Sequence, residues 1–346
     1  MKEQSSMVKV TYCAKICLVG LALALAQNSG GVQAAESTAL KGKTVRIIVP
    51  FSAGGGNDVT SRVLARAMSK YTPGKPAIIV ENMTGAGGRI GVNYVYKIAK
   101  PDGTAILSAM SSAAIHQLVG TKGVGYDLAK FEYLGNLGPI IHVFVVNSKL
   151  PIKTVDDLNK LGRPLAIGGG SSSSTSTVIG RILQREKYNV EVTKGYRGES
   201  GRYKALLTGE VDAALMGAHM LEQDKENLRP ILWIKYKMAK WKNVPNLEDL
   251  SLSKGTASFI KAITIPSQYG RAYLAPPNTP KEPLGALRKG FKLAVEDPKF
   301  VRDAAKVGIQ VVEYRGPEET KAEYLKVFET PPAAVEELKG VLGLKR

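Results

Sequence analysis

The sequence predicts an α/β protein built as two lobes. Three observations carry that expectation. β-branched strands alternate with amphipathic helical stretches along most of the chain, and glycine-rich turns follow several strands directly. The chain's 346 residues also exceed the ~250–300 at which a single hydrophobic core stops growing. A hydrophobic fraction of 44% with 23% charged residues is neither disordered nor fibrous in character.

The first stretch stands outside that fold. Lys2, Lys9 and Lys15 precede an apolar run over residues 16–26, and Val32-Gln33-Ala34 offers small side chains at the positions a signal peptidase reads. The run is about half the ~20 residues that span a bilayer, so residues 1–34 are expected to be a signal peptide cleaved near Ala34. Cys13 and Cys17 both lie within it, so the exported chain needs no disulfide and has no thiolate metal site. Tyr12 and Ile16 precede these cysteines where a lipoprotein signal places a small residue, which argues against lipidation.

In chain order, residues 45–49 read as a strand ended by Pro50. A turn over residues 52–58 follows, then a helix over 60–71 with Val63, Leu64 and Ala67 on one face. A second strand at 77–80 leads into the Gly85–Gly88 loop and a helix through Val92, Val95 and Ile98. Pro101-Asp102-Gly103 turns the chain into a third strand at 105–108. Such alternation implies a parallel sheet covered by helices on both faces. Strands at 141–146 and 165–167 open a second α/β unit, with a helix through Val178, Ile179, Ile182 and Leu183 and a β–α–β unit over 190–215. A strand at 271–275, two helices near 283–295 and 298–307, a strand at 310–313 and a helix after Pro317 complete the chain. The expected division is 43–140 plus 272–346 for lobe 1 and 141–271 for lobe 2.

The net charge is +18, and loss of three lysines and Glu3 with the leader leaves +16. This balance favours anionic partners by steering. The basic residues are scattered and only 7% of residues are aromatic, which speaks against a nucleic-acid groove with stacking platforms.

Three loops could carry chemistry. The turn from Phe51 to Asp58 exposes backbone N–H groups at a helix start, a setting suited to a carboxylate or phosphate; equally, Asp58 could simply cap the helix. It matches neither common nucleotide fingerprint. Gly168 to Thr175 joins glycines, Ser172, Ser173, Ser174 and Thr175 at the next strand-to-helix junction, either as an anion cradle or as a capped flexible turn. Arg197, after the following strand, offers bidentate carboxylate recognition, or a surface ion pair with Glu199. The three histidines, His116, His142 and His219, lack metal-ligand spacing, though His219 follows a strand end and could line a cleft.

Together these segments resemble the substrate-binding receptors of tripartite tricarboxylate transporters, the Bug family. The resemblance rests on the runs 48–58 (Ile-Val-Pro-Phe-Ser-Ala-Gly-Gly-Gly-Asn-Asp), 80–88, 101–104, 195–198 and 207–213 in that order. It implies a periplasmic-binding-protein-like fold of two α/β lobes with a ligand cleft between them, and a periplasmic, non-catalytic receptor. Such a receptor would take a small organic anion, a carboxylate above all, and pass it to membrane permease subunits. No cofactor, metal or nucleic acid is implied, and a monomer is expected. Carried onto this chain, the ligand contacts would be Phe51, Ser52, Gly56, Asn57 and Asp58, with Ser111 and Ser112, in the first lobe. The second lobe would add Ser172 to Thr175, Arg197 and Met216. Two departures bear on the ligand's identity: Thr177 stands where the family carries a histidine, and Arg197 where it carries a lysine. A receptor signalling to a membrane partner, or an exported hydrolase using the serine-rich loop, are the competing readings.

Overall fold

A computed structural model describes residues 37–196, 198–307, 309 and 314–344. The expected leader, Arg197 and the strand expected at 310–313 lie outside the described residues.

The chain runs β1 (Thr44–Val49), α1 (Gly56–Tyr71), β2 (Ala77–Asn82), α2 (Arg89–Lys97), β3 (Ala105–Ser108), α3 (Ser111–Leu118) and β4 (Glu132–Asn136) before it first crosses over. Next come β5 (His142–Asn147), β6 (Leu165–Gly168), α4 (Thr175–Arg185), β7 (Val190–Thr193) and α5 (Gly198–Thr208). β8 (Ala213–Gly217), α6 (Ala218–Gln223), β9 (Leu228–Trp233) and α7 (Lys254–Gln268) complete that excursion. The chain returns through β10 (Ala272–Ala275), α8 (Lys281–Glu296), α9 (Pro298–Lys306), α10 (Pro317–Leu325) and α11 (Pro332–Leu342).

Two five-stranded sheets result, in the orders β2-β1-β3-β10-β4 and β7-β6-β8-β5-β9. The all-parallel expectation is therefore modified. β10 pairs antiparallel with both β3 and β4, and β5 antiparallel with both β8 and β9. Each antiparallel strand is the one that arrives from the other lobe. The lobes thus share one layout, although the sequence shows no repeat.

Side-chain alternation divides the core. Along β1, Val45, Ile47 and Val49 face α1 and α8, while Ile48 faces the opposite cluster. Along β5, Val143 and Val145 face the α5–α6 side, and Phe144 and Val146 join the cluster that contains Ile48. That cluster continues through α7 and the last helices, so one apolar layer ties the lobes together.

The final helix departs from the expected division. α10 packs on β4, but α11 packs on α4 and α7. Ala334, Leu338, Val341 and Leu342 are its buried side chains, and Arg181 Nη1 donates to the Val341 carbonyl at 3.1 Å. The sequence reading gave a single helix after Pro317, whereas the structure has two, α10 and α11.

Candidate functional site

In a doubly wound sheet, ligands bind beyond the carboxyl ends of the parallel strands, where the order reverses. Both sheets reverse there: β2-β1-β3 in one and β7-β6-β8 in the other. A cavity of about 230 Å³ lies at these ends and is lined from both lobes.

Four helices begin in its wall. Gly56, Ser111, Thr175 and Gly198, the first residues of α1, α3, α4 and α5, all line the cavity. The first N–H groups of a helix have no intrahelical partner, and the macrodipole adds partial positive charge there. α1 and α3 start without a side-chain cap. α4 is capped by Ser174, whose Oγ accepts from the Thr177 N–H at 3.4 Å and from the Gly170 N–H at 3.2 Å. Buried Ser111 Oγ has no hydrogen-bond partner among the described residues.

Charged groups form one side of the cavity. Arg202 on α5 donates through Nη1 to the Gly198 carbonyl at 2.9 Å and through Nη2 to the Leu215 carbonyl at 3.2 Å. Arg271 stands one residue before β10 and is 9% exposed. Burial pulls its guanidinium down to about 10, with Tyr273 and Glu199 opposing, so it stays a cation at neutral pH. Glu199 accepts from the Gly217 N–H and lies 3.5 Å from His219 Nε2. Gly217 is needed here, because a Cβ would sit 2.6 Å from the His219 ring. Burial lowers His142 to about 4, leaving it neutral. Two guanidinium groups thus face one carboxylate.

Of the residues expected at a site, Phe51, Ser52, Gly56, Asn57, Ser111, Ser112, Ser174 and Thr175 line the cavity together. The others do not. Asp58 is buried beneath the turn, accepting from the Gly54 N–H at 2.8 Å, Asn82 Nδ2 at 2.9 Å and Arg62 Nε at 3.1 Å. Burial pushes its pKa up, and these hydrogen bonds outweigh that and hold it low. Ser172 is exposed away from the cavity. Ser173 is buried against His116 Nε2. Met216 points into the core under β8, and its neighbour Leu215 lines the cavity instead, as the two-residue period requires. Arg197 is among the residues not described.

Sequence reasoning missed Arg202 and Arg271 and read His142 and Glu199 otherwise. The signal for Arg202 was its position four residues after Gly198, one helical turn behind a helix start. Arg271 and His142 share another cause. They stand at the beginnings of the antiparallel strands β10 and β5, and an antiparallel strand brings its beginning to the rim where its parallel neighbours end. The serine-rich loop does meet a histidine, but the His116–Ser173 pair is buried outside the cavity wall and His116 Nδ1 has no partner among the described residues. A nucleophile needs its base oriented by a third group.

Among the described residues no helix is long and apolar enough to cross a membrane. The UPF0065 protein in the gbd 5′ region of Cupriavidus necator is 28% identical over 307 residues, covering 85% of this chain and 88% of that protein. The periplasmic binding protein BugD superposes with a TM-score of 0.67 at 22% identity, over 88% of this chain and 99% of its own. MatC from Rhodopseudomonas palustris, with bound malate, gives 0.68 at 18% identity, over 86% and 99%. These structural likenesses establish the two-lobed binding-protein fold. Residues 60–322 match the tripartite tricarboxylate transporter family receptor. The family's members are periplasmic solute-binding receptors, not enzymes, and this chain belongs to the tripartite tricarboxylate transporter receptor family.

Proposed function

We propose that this protein captures a small organic carboxylate outside the cytoplasm and delivers it to the membrane subunits of a tripartite tricarboxylate-type transporter. On this reading it acts as a monomer, with its leader removed near Ala34. The observation that carries it is the convergence of four helix beginnings on one cavity beside Arg202 and Arg271. Unsatisfied N–H groups and aligned dipoles stabilise a carboxylate without any enzyme-like apparatus. Malate in the MatC structure supports the same class of ligand. Ser52, Asn57, Ser111, Ser112 and Thr175 would complete the contacts from the first and second lobes.

The reading is tested with a panel of mono-, di-, tricarboxylic and aromatic acids in a thermal-shift assay, followed by titration calorimetry. A cognate acid raises the melting temperature by mass action. Ser111→Ala weakens it about tenfold or more, because a hydrogen bond to a charged group contributes ~1.5–3 kcal/mol. The unliganded melting temperature does not fall, since Ser111 Oγ has no partner to lose among the described residues. A panel in which no acid shifts the melting temperature rejects the carboxylate.

A further inference from the structure

A second cavity of about 220 Å³ adjoins the first, and His219 and Arg271 line both. Its remaining wall has a different chemistry. Ile141 comes from the first crossover, Ala218 from the start of α6, Met238 from the loop after β9, and Ala305 and Ile309 from α9 and the segment after it. Its acid, Glu222, is engaged by Lys225 at 3.1 Å and approached by Lys240 at 4.0 Å. Past the shared pair, then, the wall is apolar except for one carboxylate, which is an acceptor only and offers a second carboxylate no donor.

Size separates a compact ligand from an extended one. Sites that enclose drug-sized ligands occupy roughly 300–1,000 Å³. Each cavity alone falls below that range, and the two joined fall within it.

We propose that the second cavity is a tail site, and that the ligand is a monocarboxylate whose aliphatic or aryl extension passes between His219 and Arg271 to pack on Ile141, Met238 and Ile309. This rests on the carboxylate reading of the first cavity and adds the class of acid. The head seats among the helix beginnings, where N–H donors are dense. The tail enters the side that offers methyl and methylene groups, and burying each methylene there gains about fourfold in affinity.

Titration calorimetry of the full exported chain with propionate, hexanoate, octanoate and the eight-carbon dicarboxylate suberate tests this. Octanoate should bind at least tenfold more tightly than propionate, and suberate at least tenfold more weakly than octanoate. Ala305→Trp, at an exposed position of α9 where folding is not at stake, should erase the octanoate gain and leave propionate within twofold. Met238→Trp, on a different segment of the same wall, should do the same. Ser111→Ala, by contrast, should weaken every acid by one common factor. Equal affinity across chain lengths, suberate as tight as octanoate, or a length gain that survives both tryptophan variants overturns the tail site while leaving the carboxylate head intact. If no acid binds at all, the head reading fails and the tail site fails with it.

Discussion

Asp58 and His116 are buried polar residues that shape the site from behind its wall. Three hydrogen bonds converge on the Asp58 carboxylate, one from the Gly54 N–H, and Gly54 has φ +78°, a conformation that favours glycine. Asp58→Ala should therefore destabilise the protein by ~1–3 kcal/mol in urea denaturation. It should also loosen the turn that presents Ser52 and Gly56, weakening acid binding. Retained affinity would show that the turn holds its shape unaided. His116 bridges from α3 to Ser173, and burial, with the nearby Arg89 guanidinium, lowers it to about 4 from an ordinary 6.5. Between those values the unfolded chain binds more protons than the folded one. Stability is therefore full above about 6.5 and is lost as pH falls towards about 4, by up to roughly 3 kcal/mol from this residue. Melting temperatures measured from pH 7 to 4.5 should drop, and His116→Gln should remove part of that slope. An unchanged slope would exclude His116 as a source.

At the scale of elements, the helix beginnings were the most legible part of the sequence. A β-branched run, then glycine, then a small polar residue marks a strand feeding a helix, and this pattern placed Gly56, Ser174 and Thr175 on the cavity side. Elements whose role depends on a distant partner were not legible. Nothing local distinguishes an antiparallel crossover strand from a parallel one, so Arg271 and His142 gave no sign of reaching the rim. The Met216 expectation erred by one residue, enough to reverse the face of a strand. α11 belongs to the same class, and its contacts give a prediction. Leu338 is fully buried, whereas the Arg185–Glu337 pair is 33% and 43% exposed. Leu338→Ala should cost ~2–5 kcal/mol and Glu337→Ala about 1 kcal/mol or less in denaturant unfolding. The reverse order would mean that the ion pair, and not the apolar stripe, docks α11 onto α4.

For the whole molecule, composition and the order of motifs indicated two α/β lobes, and the two sheets have that form. What composition could not convey is reciprocity, each sheet taking its antiparallel strand from the other lobe's side of the chain. That exchange has a consequence for biosynthesis. β4 is an edge strand whose neighbour in the sheet is β10, and roughly 135 residues separate them in the chain. At translation rates of ~5–20 residues per second, a nascent β4 waits several seconds or more before its hydrogen-bonding partner leaves the ribosome. The first sheet therefore cannot be completed until β10 has been made. In a family whose members are periplasmic, such a delay leaves the earliest-made sheet open longest.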